Sequence, residues 1–228
     1  MTLLNMKSKY LISLLCAALM STSSFALEIP LQLNDENWQS LHYKNIAPNV
    51  ITQKEQGFEI KVNNSASPLI YVFDQPLLVK NIKVSGSMGD LPTIPADLTQ
   101  GDKNADDFPF RIGLVLAGDK TLNFAKRLIA PNWVKTLYAL APKGYGIDHI
   151  AFLNLANPEP ISWQSRDHPA SKGLFKETIV AHIQPNEDFE LKHDLSQPNE
   201  VIALWISSDG DDTNSSFSLN LNSITLND

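Results

Sequence analysis

Two stretches of the chain are apolar on both faces of a strand. In Val201–Ile206, Val201, Ala203 and Trp205 point one way and Ile202, Leu204 and Ile206 the other, because successive strand side chains alternate. In Ile147–Leu155, Ile150 and Phe152 share one face and Ala151, Leu153 and Leu155 the other. Such strands must be covered on both sides, so they belong inside a sheet with other elements above and below, and the two are expected to be neighbours. Near the C-terminus, Phe217, Leu219 and Leu221 alternate with Ser218, Asn220 and Asn222, the pattern of a half-buried antiparallel strand. The apolar parity then flips to Ile224 and Leu226, which predicts a β-bulge at Asn222-Ser223. Joined by the acidic turn D-G-D-D-T-N, Val201–Leu226 reads as a terminal hairpin.

Further short strands are expected at Glu28–Leu33, Trp38–Lys44, Val50–Gln53, Gly57–Val62, Leu69–Phe73, Leu77–Met88, Phe110–Leu116, Leu174–Ile183 and Phe189–His193, separated by Asn, Asp, Ser and Pro clusters that favour turns. A parity change from Leu77 and Val79 to Ile82 and Val84 predicts a second bulge near Lys80-Asn81. One segment has helical period. In Pro131–Ala141, Trp133, Leu137 and Leu140 recur on one face, Pro131 suits the first turn, and Pro142, Gly144 and Gly146 end the run. With Trp133 inward and Lys135 outward, this helix would plug one end of the fold or cover a sheet. The longest stretch without a pattern, Gly89–Asp107, is either a functional loop or a surface insertion. Together these elements predict an all-β antiparallel sandwich with one short helix.

Composition narrows the setting. The first 26 residues carry a basic region at Lys7 and Lys9, an apolar run Leu11–Met20 and a small-residue cleavage site Ser24-Phe25-Ala26, the layout of an export signal. That run is too short to span a bilayer, and Leu15 before Cys16 does not suit a lipid-attachment site. The protein is therefore expected to be exported, periplasmic or secreted, with one domain over residues 27–228 and no membrane span after cleavage. Losing the signal removes two of the 18 basic groups and none of the 25 acidic ones, so the net charge moves from −7 to −9. An acidic chain without a run of Lys or Arg speaks against nucleic acid and anionic membrane surfaces as partners. Cys16, the single cysteine, leaves with the signal, so no disulfide framework is available and the core must supply stability.

No nucleophile elbow, zincin helix, phosphate-binding loop, dinucleotide fingerprint or Cys/His zinc pattern occurs. Among five scattered histidines, His168 in S-R-D-H-P is the best acid/base candidate, with Asp167 beside it and Asp107 as a further carboxylate. Tyr145 and Trp163 lie in polar loops and are the rings most suited to stack on a sugar, whereas Trp133 and Trp205 sit on apolar faces and read as packing. Two loops carry alternating oxygen ligands that could hold a structural calcium ion: Asp102, Asn104, Asp106 and Asp107, and Asp209, Asp211, Asp212 and Asn214. The same residues are ordinary turn formers. No other cofactor is indicated.

The block N-F-A-K-R-L-I-A-P-N-W-V-K-T-L-Y-A-L-A-P-K-G-Y-G-I-D-H-I-A-F, Asn123–Phe152, followed by D-D-T-N-S, resembles a bacterial family of exported proteins defined only as a domain of unknown function. The resemblance covers about Asp106 to the C-terminus. It implies a jelly-roll sandwich like those of carbohydrate-binding modules, and it transfers no site residues. The expected function is a non-catalytic sandwich that binds a glycan or another cell-envelope ligand. The alternative is an envelope glycan hydrolase or lyase whose acid/base residues come from separated loops.

Overall fold

A computed structural model of the chain describes residues 26–169 and 171–228. Of the export signal expected over residues 1–26, all but Ala26, Cys16 included, lies outside the described residues. The strands are β1 (Ala26–Glu28), β2 (Trp38–Ser40), β3 (Val50–Gln53), β4 (Phe58–Asn63), β5 (Leu69–Met88), β6 (Phe110–Gly118), β7 (Gly146–Ala156), β8 (Ser165–Asp167), β9 (Phe175–His182), β10 (Asp188–Ser207) and β11 (Ser216–Asn227); helices α1 (Phe124–Ile129) and α2 (Asn132–Ala139) lie between β6 and β7. They join in the order β3-β4-β11-β5-β10-β6-β7-β9-β8, with β1 beside β11 and β2 beside β5. Every strand pairing among them is antiparallel except that of β7 with β9.

Two long strands turn this sheet into a sandwich. β5 and β10 each contain 20 residues. The first part of β5 pairs with the end of β10 at Leu69↔Ile206 to Val72↔Ala203, and its later part pairs with the start of β10 at Asn81↔Asp194 to Ser87↔Asp188. Between these ladders the register shifts, and Pro76 and Pro198 lie in the interrupted stretches, where a residue without an N–H costs no ladder bond. The strands thereby carry the sheet from one layer into the other. One layer holds β3, β4, β11, the end of β5 and the start of β10; the other holds the start of β5, the end of β10, β6, β7, β9 and β8. Between them Phe58, Ile60, Leu219 and Ile224 meet Phe110, Ile112, Leu114 and Leu204 in one buried core. Edge-on ring contacts such as Trp38 with Phe58 at 5.2 Å tie its ends together. The fold is an all-β sandwich of jelly-roll type.

The bulge expected at Asn222-Ser223 is present as a register shift between Leu221 and Ser223. The second irregularity also falls opposite Lys80, but the extra residues are on β10, between Asp194 and Asn199. Two pairings differ from expectation. β10 and β11 do not form a hairpin, because β5 lies between them, and Asp209–Asn214 instead passes from one layer to the other. Likewise β6 separates β7 from β10. Apolar side chains on both faces specify how deeply a strand is buried, not which strand lies beside it.

The helical region also differs. α2 spans Asn132–Ala139, with Pro131 outside it in extended backbone, and a second helix, α1, precedes it. α1 begins where Asn123 Oδ1 accepts the Lys126 N–H at 2.9 Å, a side-chain cap. α2 covers the outer face of the second layer, where its buried Leu137 joins Val115, Ile150 and Trp205 in a second apolar cluster.

Candidate functional site

Outside the second layer, one row of side chains is polar. Ser207 of β10, Arg111 of β6 and Asn154 of β7 stand in register, and Glu177 of β9 is paired with Arg166 of β8. Asn154 Nδ2 donates to Glu177 Oε1 at 3.3 Å. The adjacent row, Trp205, Gly113 and Phe152, is apolar. Gly113 is required there: a Cβ would lie 2.6 Å from Ile150 Cγ2 and 2.7 Å from Phe152 Cε1. Its absence lets Phe152 turn edge-on to Trp205 at 5.9 Å and to Phe175 at 5.3 Å, and Trp133 of α2 then packs 5.6 Å from Phe175. The result is a cleft of about 780 Å³ with a charged end containing Arg111, Asp107 and Asp211 and an aromatic wall of Tyr43, Trp133 and Tyr138.

Two loops supply the carboxylates. The segment ending at Asp107 is pinned by Gln100, whose amide donates to the Asp107 carbonyl at 2.7 Å and accepts the Asn157 N–H at 2.9 Å. Asp107 in turn fastens the other loop, accepting the N–H of Thr213 at 2.7 Å and that of Asp212 at 3.3 Å. The layer-crossing connection after β10 is thus held against the end of Gly89–Asp107, so that stretch builds the site.

Cations organise these acids. Arg111, almost fully buried, lies 3.5 Å from a carboxylate oxygen of Asp106, 3.5 Å from one of Asp209 and 3.8 Å from one of Glu177, above the Phe108 ring. Arg166 is more fully bonded, with Nε donating to Glu177 at 2.7 Å, one terminal nitrogen to Asp106 at 2.8 Å and the other to the Gly101 carbonyl at 2.6 Å, while its plane lies 4.0 Å from the Trp163 ring centroid. His168 Nε2 is 2.7 Å from Asp106 Oδ2. Arg111 Nε and Asn154 Oδ1 are buried without a hydrogen bond.

The acids separate electrically. Burial would raise Asp106, but Arg111, His168 and Arg166 outweigh it and hold the carboxyl below its usual range. Asp209 is pushed up to about 7, mainly by burial, with Asp211 and Asp107 adding repulsion that Arg111 only partly offsets. Asp211 rises to about 6 through burial and the nearby Asp107. Asp212 also rises, again through burial first. Arg111 itself is held charged: burial opposes this, but three carboxylates around it prevail. Burial likewise raises the Tyr43 phenol, with Asp209 second.

Of the residues expected from sequence, His168, Asp107, Asp209, Asp211 and Asp212 come together in this cleft. Asp167 does not; its exposed carboxylate is 3.8 Å from Lys176. Tyr145 is exposed away from the cleft lining, and Trp163 packs under Arg166 and against Phe108 beside a separate shallow surface. Asn214 is exposed on its loop with a left-handed φ of 53°. Among the described residues no three His, Cys, Asp or Glu side chains are grouped so as to hold a metal ion. Trp133 packs as expected but also lines the cleft. Sequence reasoning passed over Arg111, Asn154, Arg166 and Glu177. For Arg111 and Asn154 the signal was a polar side chain within a stretch of strand otherwise apolar, which must be buried and needs a partner; Arg166 and Glu177 stand among polar neighbours and carried none.

No family model and no curated protein matches the chain, so the resemblance of Asn123–Phe152 to an exported family has no family match behind it. Among solved structures, the chain is similar to a xylan-binding module, CBM15, with a TM-score of 0.37 and 10% identity, covering 90% of this chain and 96% of that one. That overlap is too loose to bear on the site.

Proposed function

We propose that the cleft binds a carbohydrate and that the protein is a non-catalytic binding module for a glycan or other cell-envelope ligand. The observation that carries this reading is the coexistence, in one cleft, of charged donor and acceptor side chains with an aromatic wall. Arg111, paired at 3.5 Å with Asp209, and Asp211, which makes no ion pair among the described residues, both line its charged end. Sugar hydroxyls donate to one such group while accepting from the other, and the C–H face of a sugar ring suits Trp133 or Tyr138. The N-terminal signal pattern supports a place outside the cytoplasm, in the periplasm or beyond it. A glycan array followed by calorimetry tests the reading. Asp211→Asn should weaken a bound sugar by about 1.5–3 kcal/mol, the range for a hydrogen bond to a charged group. An empty array counts against it.

One observation favours a second reading, glycan hydrolysis or eliminative cleavage. Asp211 is raised to about 6 while Asp106 is held low, and carboxyls driven apart in this way can divide acid and base roles. In that case His168 and Asp107 are the further groups within the cleft, and turnover should follow a bell-shaped pH profile that Asp211→Asn removes.

A further inference from the structure

The net charge of −7 hides a segregation. From Lys120 to Ile147 the chain carries Lys120, Lys126, Arg127, Lys135 and Lys143 and no Asp or Glu. Within this segment α1 buries none of its residues. Phe124 is 79% exposed, Leu128 68% and Ile129 86%, whereas the other large exposed apolar side chains among the described residues, Val50, Leu78 and Tyr145, are scattered. At about 100° per residue, Phe124, Leu128, Ala125 and Ile129 fall on one arc of α1, with Arg127 at one edge and Lys126 at the other. An apolar arc bordered by cations belongs at a lipid headgroup boundary, where the rings and aliphatic chains enter the acyl edge and the cations reach phosphates.

We propose that α1 is a docking element for an anionic lipid surface. A symmetric contact with a second copy fits less well, because it would bring Lys126 and Arg127 of both copies together. Lys126 and Pro131 also line the cleft, so docking through α1 would bring the cleft mouth close to the lipid surface. The inference does not depend on what the cleft binds.

Vesicle flotation of the purified protein tests it, using phosphatidylcholine with and without phosphatidylglycerol at low salt. The wild type should float with the anionic vesicles and be released by added salt. Phe124→Ser with Leu128→Ser, and separately Lys126→Glu with Arg127→Glu, should each reduce binding more than about tenfold while leaving the melting temperature unchanged, since α1 buries nothing. No flotation with anionic vesicles overturns the proposal, as does equal flotation of wild type and both variants. Self-association in vesicle-free buffer that Phe124→Ser with Leu128→Ser removes assigns the patch to a second copy and overturns it too.

Discussion

Asp209→Asn should make the protein more stable in mildly alkaline solution, against the expectation for a carboxylate beside an arginine. Asp209 lies 3.5 Å from Arg111, but burial and the nearby Asp211 and Asp107 outweigh that attraction and lift its carboxyl from 3.8 to about 7. Between about pH 4 and pH 7 the folded protein therefore holds a proton that the unfolded chain has released, so stability falls as pH rises through this window. A shift of about three units at about 1.36 kcal/mol each amounts to roughly 4 kcal/mol. The asparagine keeps the shape and cannot ionise, and Arg111 retains Asp106 and Glu177. The variant should match wild type near pH 4 and exceed it near pH 8 by about 4 kcal/mol, or roughly 8–16 °C in melting temperature for a chain of this size. Calorimetry across that range reads the difference directly. Parallel curves for the two proteins, or a less stable variant at pH 8, would refute the reasoning.

Arg111→Met should cost about 3–5 kcal/mol in urea unfolding, because it leaves Asp209 buried without its cation, while Glu177 keeps Arg166. Adding Asp209→Asn should recover part of that loss. Gly113→Ala should cost about 1–3 kcal/mol, since its Cβ would press on Ile150 and Phe152, and near-ultraviolet circular dichroism should record the disturbed aromatic cluster. Melting with saturating calcium and with chelator tests the acidic turn: a rise that disappears in Asp211→Asn with Asp212→Asn establishes an ion there, and an unchanged value leaves the turn held by its protein contacts, among them Arg111 with Asp209 and Asp107 with Thr213.

Much of the fold was legible because burial leaves a period in the sequence. Phe110, Ile112, Leu114 and Leu116 declared one face of β6, and the parity flip before Ile224 declared a bulge that the pairing of β11 with β5 contains. Partners were not legible. The short acidic turn after β10 suggested a hairpin, but β11 pairs with β4 and β5, whose positions follow from long-range closure of the sandwich. α1 escaped notice because its six residues make fewer than two turns, too short a run for the arc of Phe124, Ala125, Leu128 and Ile129 to stand out as a period. In the site, Asp107, His168, Asp209, Asp211 and Asp212 stood out as loop acids and a histidine. Arg111 and Asn154 stood in apolar strands as isolated polar letters, Glu177 stood among polar neighbours, and only strand register and long-range contacts place them in one neighbourhood. Tyr145 and Trp163 were selected for lying in polar loops, but a loop's composition says nothing about which cavity it borders.

The most direct test of carbohydrate binding in the cleft is calorimetric titration of a sugar identified by array into wild type, Asp211→Asn and Tyr145→Ala. Binding through the cleft predicts that Asp211→Asn loses about 1.5–3 kcal/mol of affinity, while Tyr145→Ala, altering a ring outside the cleft lining, binds as wild type does. Full affinity in Asp211→Asn, with binding lost in Tyr145→Ala, would contradict it and move the site out of the cleft.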